Sequence, residues 1–140
     1  MEARIFEETD YPILMEWWEG HGWPGIHCSM IPKLTVIMSN EERDICAGSV
    51  YMDNSVAEDK VKICMLEWIV TNPKATNMES YKGIREMTDL LEKRVREMGY
   101  GVILTTCKQE SLAKVHEKSG FIRTDSNMIH LIKILREEEN

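Results

Sequence analysis

The sequence has none of the features that mark a membrane-spanning or nucleic-acid-binding protein. Its longest apolar stretch, residues 63–70, is interrupted by Glu67 and is far shorter than the roughly 20 residues needed to cross a bilayer. Positive charge is scarce, because the 17 Lys and Arg residues are outnumbered by 24 Asp and Glu residues. The formal net charge is -7. A surface that neutralises phosphates needs clustered Lys and Arg. We therefore expect a soluble protein that binds neither nucleic acid nor membrane.

The sequence also lacks any sign of secretion, disulfides or metal binding. The N-terminal residues MEARIFEETD contain neither the basic region nor the apolar region of a secretion signal. The four cysteines form no C-x-x-C pair and no Cys/His cluster at zinc spacing. They are Cys28, Cys46, Cys64 and Cys107. We expect a cytoplasmic protein with reduced thiols and no metal.

Length and composition fit one globular domain over residues 1–140. Hydrophobic residues make up 43% of the chain and charged residues 29%, values typical of globular rather than disordered proteins. A chain of this length is also too short for two ordinary domains.

The apolar periodicity predicts the element order β-α-β-β-β-α-β-α-β-β in one mixed sheet, an α/β or α+β domain. Strands are expected at 3–6, 34–38, 45–52, 61–71, 102–106, 121–123 and 128–135, and helices at 11–19, 77–98 and 110–118. The strands within 34–71 form an antiparallel meander, and strand 102–106 runs parallel to strand 61–71 because a helix separates them. The last two strands form a hairpin. Residues 20–33 form an ordered loop, 53–60 a polar connection and 136–140 a solvated tail.

The junction between strand 61–71 and the long helix is the most informative segment. The helix opens with Thr76-Asn77-Met78-Glu79, which has the spacing of a capping box. Its first turn points free backbone N–H groups and the positive end of the helix dipole beyond the end of the strand, a geometry that binds phosphate. The alternative is that Thr76 or Asn77 only caps the helix.

Three segments together resemble a known family. They are LEWIVTNP, EMGYGVILTT and SLAKVHEKSGF, and they look like the core of the GNAT superfamily of acetyl-CoA-dependent N-acetyltransferases. The run from ICAGSVYMDNS to the KSGF turn is similar to small GNAT-like proteins of bacteriophages. The resemblance covers residues 34–135. It implies a single GNAT-like domain, with a mixed, mostly antiparallel sheet, a splayed pair of parallel strands and flanking helices. It also implies that acetyl-CoA binds between these strands and that its acetyl group passes directly to a primary amine in a ternary complex.

The resemblance further implies residues that hold acetyl-CoA. The loop that binds the CoA pyrophosphate in GNAT enzymes has the pattern Arg/Gln-x-x-Gly-x-Gly/Ala, of which this sequence keeps one glycine, Gly83. Counting forward from Pro73 places the loop at 76–81, whereas counting back from Leu90-Leu91 starts it at Lys82, and both registers stay open. The predicted cofactor-binding residues are Ile69, Val70, Thr71, Thr76, Asn77, Lys82, Gly83 and Gln109. Gln109 contacts the pantetheine or only caps a helix.

Glu67 is the predicted catalytic base. It is a carboxylate inside an apolar strand, and period-two alternation places it on one face with Ile63, Met65 and Ile69. Burial would raise its pKa toward the range of a base that works near neutral pH. The resemblance adds that GNAT enzymes place the glutamate that deprotonates the amine at this distance before Pro73. The alternative is a Glu at the strand edge, paired with Lys or Arg.

His116 is the second predicted catalytic residue. It stands in V-H-E-K-S-G-F where the family often has L-Y-E-K-x-G-F, and that tyrosine commonly protonates the departing CoA thiolate. An imidazole can also donate a proton near pH 7. The alternative is a solvated histidine on the surface of a helix.

Trp18, His21 and Trp23 are the predicted contacts of the acceptor. They lie where GNAT proteins often shape the acceptor pocket, and aromatic rings can hold a cationic amine. The alternative is that the tryptophans cover a sheet edge. The acceptor itself stays open among a peptide N-terminus, a protein lysine, a polyamine, an aminoglycoside and a small metabolite.

A second function from a different class is also open. The fold can serve as an inactive binding module, such as a phage protein that occupies a host factor in the host cytoplasm. Homodimerisation is compatible with either function, because strands such as 128–135 leave edges that can pair between subunits.

Overall fold

The computed structural model describes residues 1–52 and 61–135, which fold around one five-stranded mixed sheet. The strands are β1 (Glu2–Ile5), β2 (Leu34–Ser39), β3 (Asp44–Met52), β4 (Lys62–Thr71) and β5 (Tyr100–Thr105). The helices are α1 (Tyr11–His21), α2 (Asn77–Glu97) and α3 (Glu110–Lys118). Neighbouring strands are antiparallel from β1 to β4, and β4 and β5 are parallel. The predicted order is confirmed from the first strand to α3.

The sheet has a buried layer on each face. On one face, α2 packs through the apolar stripe predicted from its sequence, because every third or fourth residue points at the sheet. The buried residues of that stripe are Ile84, Met87, Leu91 and Val95, and they meet Val36, Val50 and Leu66. On the other face, α1 packs Leu14, Trp17 and Trp18 against Ile37, Ala47 and Val70.

The first helix is longer than its sequence predicts. Pro12 stands in its first turn, where a missing N–H removes no intrahelical hydrogen bond. The helix continues to His21 and ends at Gly22, whose φ of 71° is the left-handed conformation that glycine adopts without strain. The loop that follows is ordered as predicted, and the Tyr11 hydroxyl donates a hydrogen bond of 2.8 Å to the Ile26 carbonyl.

The predicted terminal hairpin is wrong. After α3 the chain turns at Gly120, and residues 121–135 contain no strand and no helix. Their apolar side chains are exposed almost throughout. Isoleucine and leucine favour a strand only where a neighbouring strand completes the ladder, and no strand of the described chain pairs with this segment. The predicted connection 53–60 and tail 136–140 lie outside the described residues.

Over residues 1–52 and 61–135 the longest helix, α2, is amphipathic, and no helix has the length and apolarity to span a bilayer.

Candidate active site

The parallel strands β4 and β5 part at Glu67. Their pairing runs from Lys62 with Tyr100 to Leu66 with Thr105, whereas β4 continues to Thr71 along β3. The Thr105 hydroxyl closes the last rung with a hydrogen bond of 2.7 Å to the Leu66 carbonyl. Beyond that point the β5 side of β4 has no strand partner in the described chain. This separation of the two strands, the fork, leaves the β5 side of β4 without a ladder partner beyond Leu66 among the described residues.

A bulge at Trp68 changes which side chains face the fork. Glu67 pairs with Ser49 and Val70 with Ala47, so two residues of β4 oppose the single residue Gly48. Trp68 has a φ of 56°, which is rare for a residue with a side chain. The bulge shifts the alternation of side chains along β4. Ile69 therefore packs on the face of the sheet covered by α2, and Val70 packs on the face covered by α1. The prediction that Glu67 shares a face with Ile69 is therefore wrong.

The predicted backbone contacts in β4 differ in what they can offer a ligand. The backbone N–H of Asn72 donates to the Ile45 carbonyl at 2.8 Å. Hydrogen-bonded pairs alternate along an antiparallel ladder, so Val70 pairs with Ala47 through its backbone, whereas Thr71 turns its backbone groups away from β3. Thr71 thus directs its backbone groups to the fork side of β4, where its carbonyl is hydrogen-bonded to His21 at 2.8 Å, and Val70 does not. Ile69 lies in the bulge itself.

Glu67 lies at the start of the fork and is hydrogen-bonded to the end of β5. The Thr106 hydroxyl lies 3.0 Å from Oε1 and 3.2 Å from Oε2 of Glu67. Burial raises the pKa of Glu67, and the hydrogen bond from Thr106 and the charge of His130 oppose part of that rise. The partner of Glu67 is thus a hydroxyl rather than the Lys or Arg of the alternative interpretation. A carboxylate with a raised pKa can accept a proton near neutral pH.

The N-terminus of α2 forms the predicted capping box. The Glu79 backbone N–H donates to Thr76 Oγ1 at 3.1 Å, and the Thr76 N–H donates to Glu79 Oε1 at 2.9 Å. The helix begins at Asn77, so the N–H groups of Asn77 and Met78 remain for an anion. Glu79 is itself an anion at this end, because the hydrogen bonds from Thr76 and Asn40 lower the pKa of its carboxyl.

Lys82 and Gly83 belong to the second turn of α2. Lys82 is exposed, and Gly83 is buried against β3. A Cβ at Gly83 would lie 2.8 Å from Cγ2 of Ile45 and 3.0 Å from Sγ of Cys46. The glycine therefore permits close packing of helix on sheet, and it does not line the loop before the helix. The register counted from Pro73, 76–81, includes the start of the helix at Asn77, whereas the register that begins at Lys82 lies inside the helix.

The third helix carries the predicted residues His116 and Gln109. His116 is only 2% exposed, so the alternative of a solvated histidine is wrong. Neither ring nitrogen has a hydrogen-bond partner among the described residues, and burial lowers the pKa of His116. Its ring lies 5.2 Å from that of Phe121, the aromatic residue of the KSGF turn. Gln109 occupies the N-cap position of α3 but makes no side-chain capping bond.

The predicted acceptor contacts separate into two groups. His21 and Trp23 lie beside the end of β4: His21 Nε2 donates to the Thr71 carbonyl at 2.8 Å, and the Trp23 ring stacks on His21 at 4.4 Å. Trp18 is instead buried in the core under α1, where Gly25 contacts its ring. His21 and Trp23 are thus near the fork, and Trp18 faces the core.

Trp68 and Tyr51 lie beside the candidate site and were not predicted from the sequence as site residues. The Trp68 indole N–H donates to the Tyr51 hydroxyl at 2.6 Å, and both rings are partly exposed next to Glu67 and its partner strand. The one available signal was Gly48, since a glycine inside a strand often marks a bulge.

Cys46 contributes no reactive thiolate to this site. Cys46 is buried, and burial raises the pKa of its thiol to about 12, so it stays protonated. In the part of the chain that the structure describes, no three His, Cys, Asp or Glu residues gather as metal ligands.

Comparison with known proteins identifies the fold. No protein-family model and no curated protein matches the sequence. Among solved structures, an acetyltransferase from Trypanosoma brucei is 18% identical with a TM-score of 0.65, over 94% of this chain and 99% of that one. Glucosamine-6-phosphate N-acetyltransferase from Arabidopsis thaliana is 14% identical with a TM-score of 0.66, over 96% and 98%. An aminoglycoside 6'-N-acetyltransferase from Acinetobacter haemolyticus is 14% identical with a TM-score of 0.62, over 96% and 99%. The chain therefore has the fold of the GNAT acetyltransferases.

Proposed function

We propose that this protein transfers an acetyl group from acetyl-CoA to a primary amine. The observation that carries the proposal is the fork between β4 and β5, with Glu67 at its start and a raised pKa on that carboxyl. The fork supplies backbone groups of β4 that no neighbouring strand of the described chain uses for an elongated thioester, and Glu67 supplies a base beside it. The fold shared with acetyltransferases supports the same reaction class.

Acetyl-CoA would be held mainly by backbone groups. Ile69 and Thr71 would bond the pantetheine and supply an N–H to the thioester oxygen, which carries negative charge in the tetrahedral intermediate. The N–H groups of Asn77 and Met78 would hold the pyrophosphate, with Thr76 fixing the helix start and Lys82 adding positive charge. Gln109 would contact the pantetheine from the start of α3. Gly83 is left out of this set, because it faces β3.

The reaction is a direct transfer in a ternary complex. The amine nitrogen attacks the thioester carbon, the C–N bond forms, and the C–S bond breaks as the CoA thiolate leaves. Glu67 takes the proton that the amine must lose, directly or through a water molecule. Thr106 holds the Glu67 carboxylate in place and limits the rise of its pKa.

His116 has a smaller share in the chemistry than Glu67. Burial lowers its pKa, so only a minor fraction carries the proton that a leaving thiolate could accept. A thiolate is also a fair leaving group without help, because thiols have a pKa of about 8.5. We therefore assign His116 to assisting thiolate departure, with an effect of a few-fold rather than several hundred-fold.

The acceptor would enter from the side of α1. His21, Trp23, Trp68 and Tyr51 offer aromatic rings around the end of β4 and its bulge. Aromatic faces attract cationic amines, and the net charge of -7 favours the approach of a cation. These groups suit a cationic primary amine in general, and they favour none of the candidate acceptors over the others.

Two measurements test the proposal. Isothermal titration calorimetry should detect acetyl-CoA binding, and a thiol-release assay with a panel of primary amines should detect turnover. No binding at millimolar acetyl-CoA would reject the proposal. Binding without turnover of any amine would instead favour the inactive binding module.

The bacteriophage origin and a host partner stay predictions, since no observation bears on them.

A further inference from the structure

The face of the sheet that carries Glu67 presents side chains in rows across three neighbouring strands. Residues that pair across a sheet project to the same face. Ser49 of β3 pairs with Glu67, and the Glu67 carboxylate is hydrogen-bonded to Thr106 just beyond the end of β5. These three residues form the carboxylate row.

A row of carbon-rich side chains lies next to the carboxylate row. Tyr51 of β3 pairs with Met65 of β4, and Met65 pairs with Leu104 of β5. Two residues along a strand return to the same face after roughly 7 Å, so this apolar row is the direct neighbour of Glu67. Its three side chains, and that of Trp68, are between 37% and 48% exposed. The apolar row is therefore open to a ligand whose reacting atom lies at Glu67.

The apolar surface continues one step farther along the same strands. Ile63 of β4 pairs with Val102 of β5, and both side chains are partly exposed. The body of a ligand that starts at Glu67 would thus meet carbon over two successive steps of the sheet.

The hydroxyl groups of the carboxylate row are already used within the protein. The Ser49 hydroxyl shares a hydrogen bond of 2.8 Å with Thr35 Oγ1, and both residues are buried. The Thr106 hydroxyl donates to Glu67. A ligand therefore finds the Glu67 carboxylate in this row and no uncommitted hydroxyl among its described residues.

The polar atoms of the aromatic pair are committed in the same way. The Trp68 indole N–H donates to the Tyr51 hydroxyl at 2.6 Å, and that hydroxyl donates to the Met30 carbonyl at 3.4 Å. The rings thus offer a ligand mainly their apolar surface, which gains free energy when it is covered.

The charge beside the apolar row is single. Among the described residues of the two rows, Glu67 is the only one with a carboxylate. The nearby charge of His130 lowers the pKa of Glu67, as a positive charge does. A second ammonium group at this point would meet a cation rather than a second anion.

We propose that the acceptor is a small monoamine, with one primary amino group on an apolar body. This inference rests on the proposed acetyl transfer. The amino group lies at Glu67 and takes the acetyl group, CoA leaves as its thiol, and the apolar body covers the apolar row and the Trp68 ring. A polyamine or an aminoglycoside brings further charges and hydroxyls, for which the described residues of the two rows offer no uncommitted partner.

A series of amines is the first test, and it needs no variant. In a thiol-release assay, kcat/KM should rise about two- to four-fold for each methylene group from propylamine to hexylamine, because burying one methylene favours binding by up to about four-fold. The compound 1,6-diaminohexane has the same carbon chain and a second ammonium group, and it should react at least 10-fold less well than hexylamine. A flat series, or a diamine that reacts as well as hexylamine, would overturn the inference.

A charge placed in the apolar row should change the preference between these two amines. Leu104→Glu supplies a carboxylate for the second ammonium group, so the ratio of kcat/KM for hexylamine to that for 1,6-diaminohexane should fall at least 10-fold. The ratio isolates acceptor recognition, because a general loss of folding or catalysis lowers both values. Leu90→Glu is the control, since Leu90 is 41% exposed on α2, across the sheet from Glu67. An unchanged ratio in a folded Leu104→Glu variant would argue against the apolar row as the acceptor contact.

Ligand-observed saturation-transfer NMR separates the acceptor class from the proposed reaction. With CoA present or absent, the methylene protons of hexylamine should receive saturation from the protein, and those of 1,6-diaminohexane should receive much less. Hexylamine binding without turnover of any amine would reject the acetyl transfer and support the apolar acceptor site. Turnover of polyamines or amino sugars alone would support the acetyl transfer and refute the monoamine. Hexylamine that neither binds nor reacts would refute the monoamine as well.

Discussion

The hydroxyl of Thr106 donates to the carboxylate of Glu67 at the point where β4 and β5 separate. The contact joins residues 39 positions apart, and it sets both the orientation and the proton affinity of the proposed base. The hydrogen bond favours the ionised carboxylate, whereas burial favours the neutral acid, and burial is the larger effect.

Removing the carboxylate of Glu67 should remove most of the activity. We expect Glu67→Gln to lower kcat/KM for an accepted amine by about 10²- to 10³-fold, the range for a lost general base. The affinity for acetyl-CoA, measured by calorimetry, should stay unchanged. Glu41→Gln, at an exposed turn between β2 and β3, is the matched control and should retain full activity.

The fold of the Glu67→Gln variant can be checked by its melting temperature. Because the folded-state pKa of Glu67 is raised, its stabilising contribution is present below the unfolded pKa and is lost as pH rises through the folded pKa. Gln avoids that loss, so at neutral pH the variant should melt no lower than the wild type. Unchanged activity in a folded variant would exclude Glu67 as the base.

The pH profile should report the hydrogen bond from Thr106. The base must be ionised, so kcat/KM should rise with pH through the pKa of Glu67. Thr106→Val removes a contact that lowers this pKa and should move the rising limb to higher pH. Thr106→Ser keeps a hydroxyl and should restore the wild-type profile. A limb that stays in place in the valine variant would mean that another group titrates.

Glu79 should weaken the binding of a phosphate at the start of α2. Its carboxylate is held ionised beside the free N–H groups of Asn77 and Met78. Glu79→Gln keeps a side chain that can form the capping box but removes the charge. Calorimetry should show acetyl-CoA bound several-fold more tightly, and more so at low ionic strength. Asp89→Asn, an exposed change farther along α2, is the control. Equal affinities would place the pyrophosphate elsewhere.

A side chain at Gly83 should lower the stability of the fold, because the sheet lies against this position. Its added methyl would lie 2.8 Å from Ile45, a fully buried and β-branched neighbour. Overpacking costs about 1–3 kcal/mol, and the gain in helix propensity from Gly to Ala returns about 1 kcal/mol. The difference between these two effects is a loss of up to about 2 kcal/mol for Gly83→Ala in urea unfolding, while Lys82→Ala in the same turn is neutral. A variant as stable as the wild type would mean that helix and sheet can move apart here.

Local patterns account for most of the fold. The 3.6-residue stripe from Ile84 to Val95 and the capping box at Thr76 set the face and the start of α2, because both depend on residues within a few positions. The bounds of α3 follow from the same kind of local signal. The parallel direction of β5 follows from the intervening helix alone.

The sequence by itself determined the element order from β1 to α3, the helix stripes and the candidate base Glu67. Only the tertiary structure decided the fork, the bulge at Trp68, the burial of His116 and the course of residues 121–135. A helix stripe and a cap arise from neighbours along the chain. Three features depend on which distant segments meet: the divergence of β4 and β5, the φ of 56° at Trp68, and the lack of a strand partner for residues 121–135 within the described chain. Period-two alternation of side chains therefore placed Glu67 on the correct strand. It placed Ile69 on the wrong face of the sheet, because Ile69 follows the bulge at Trp68.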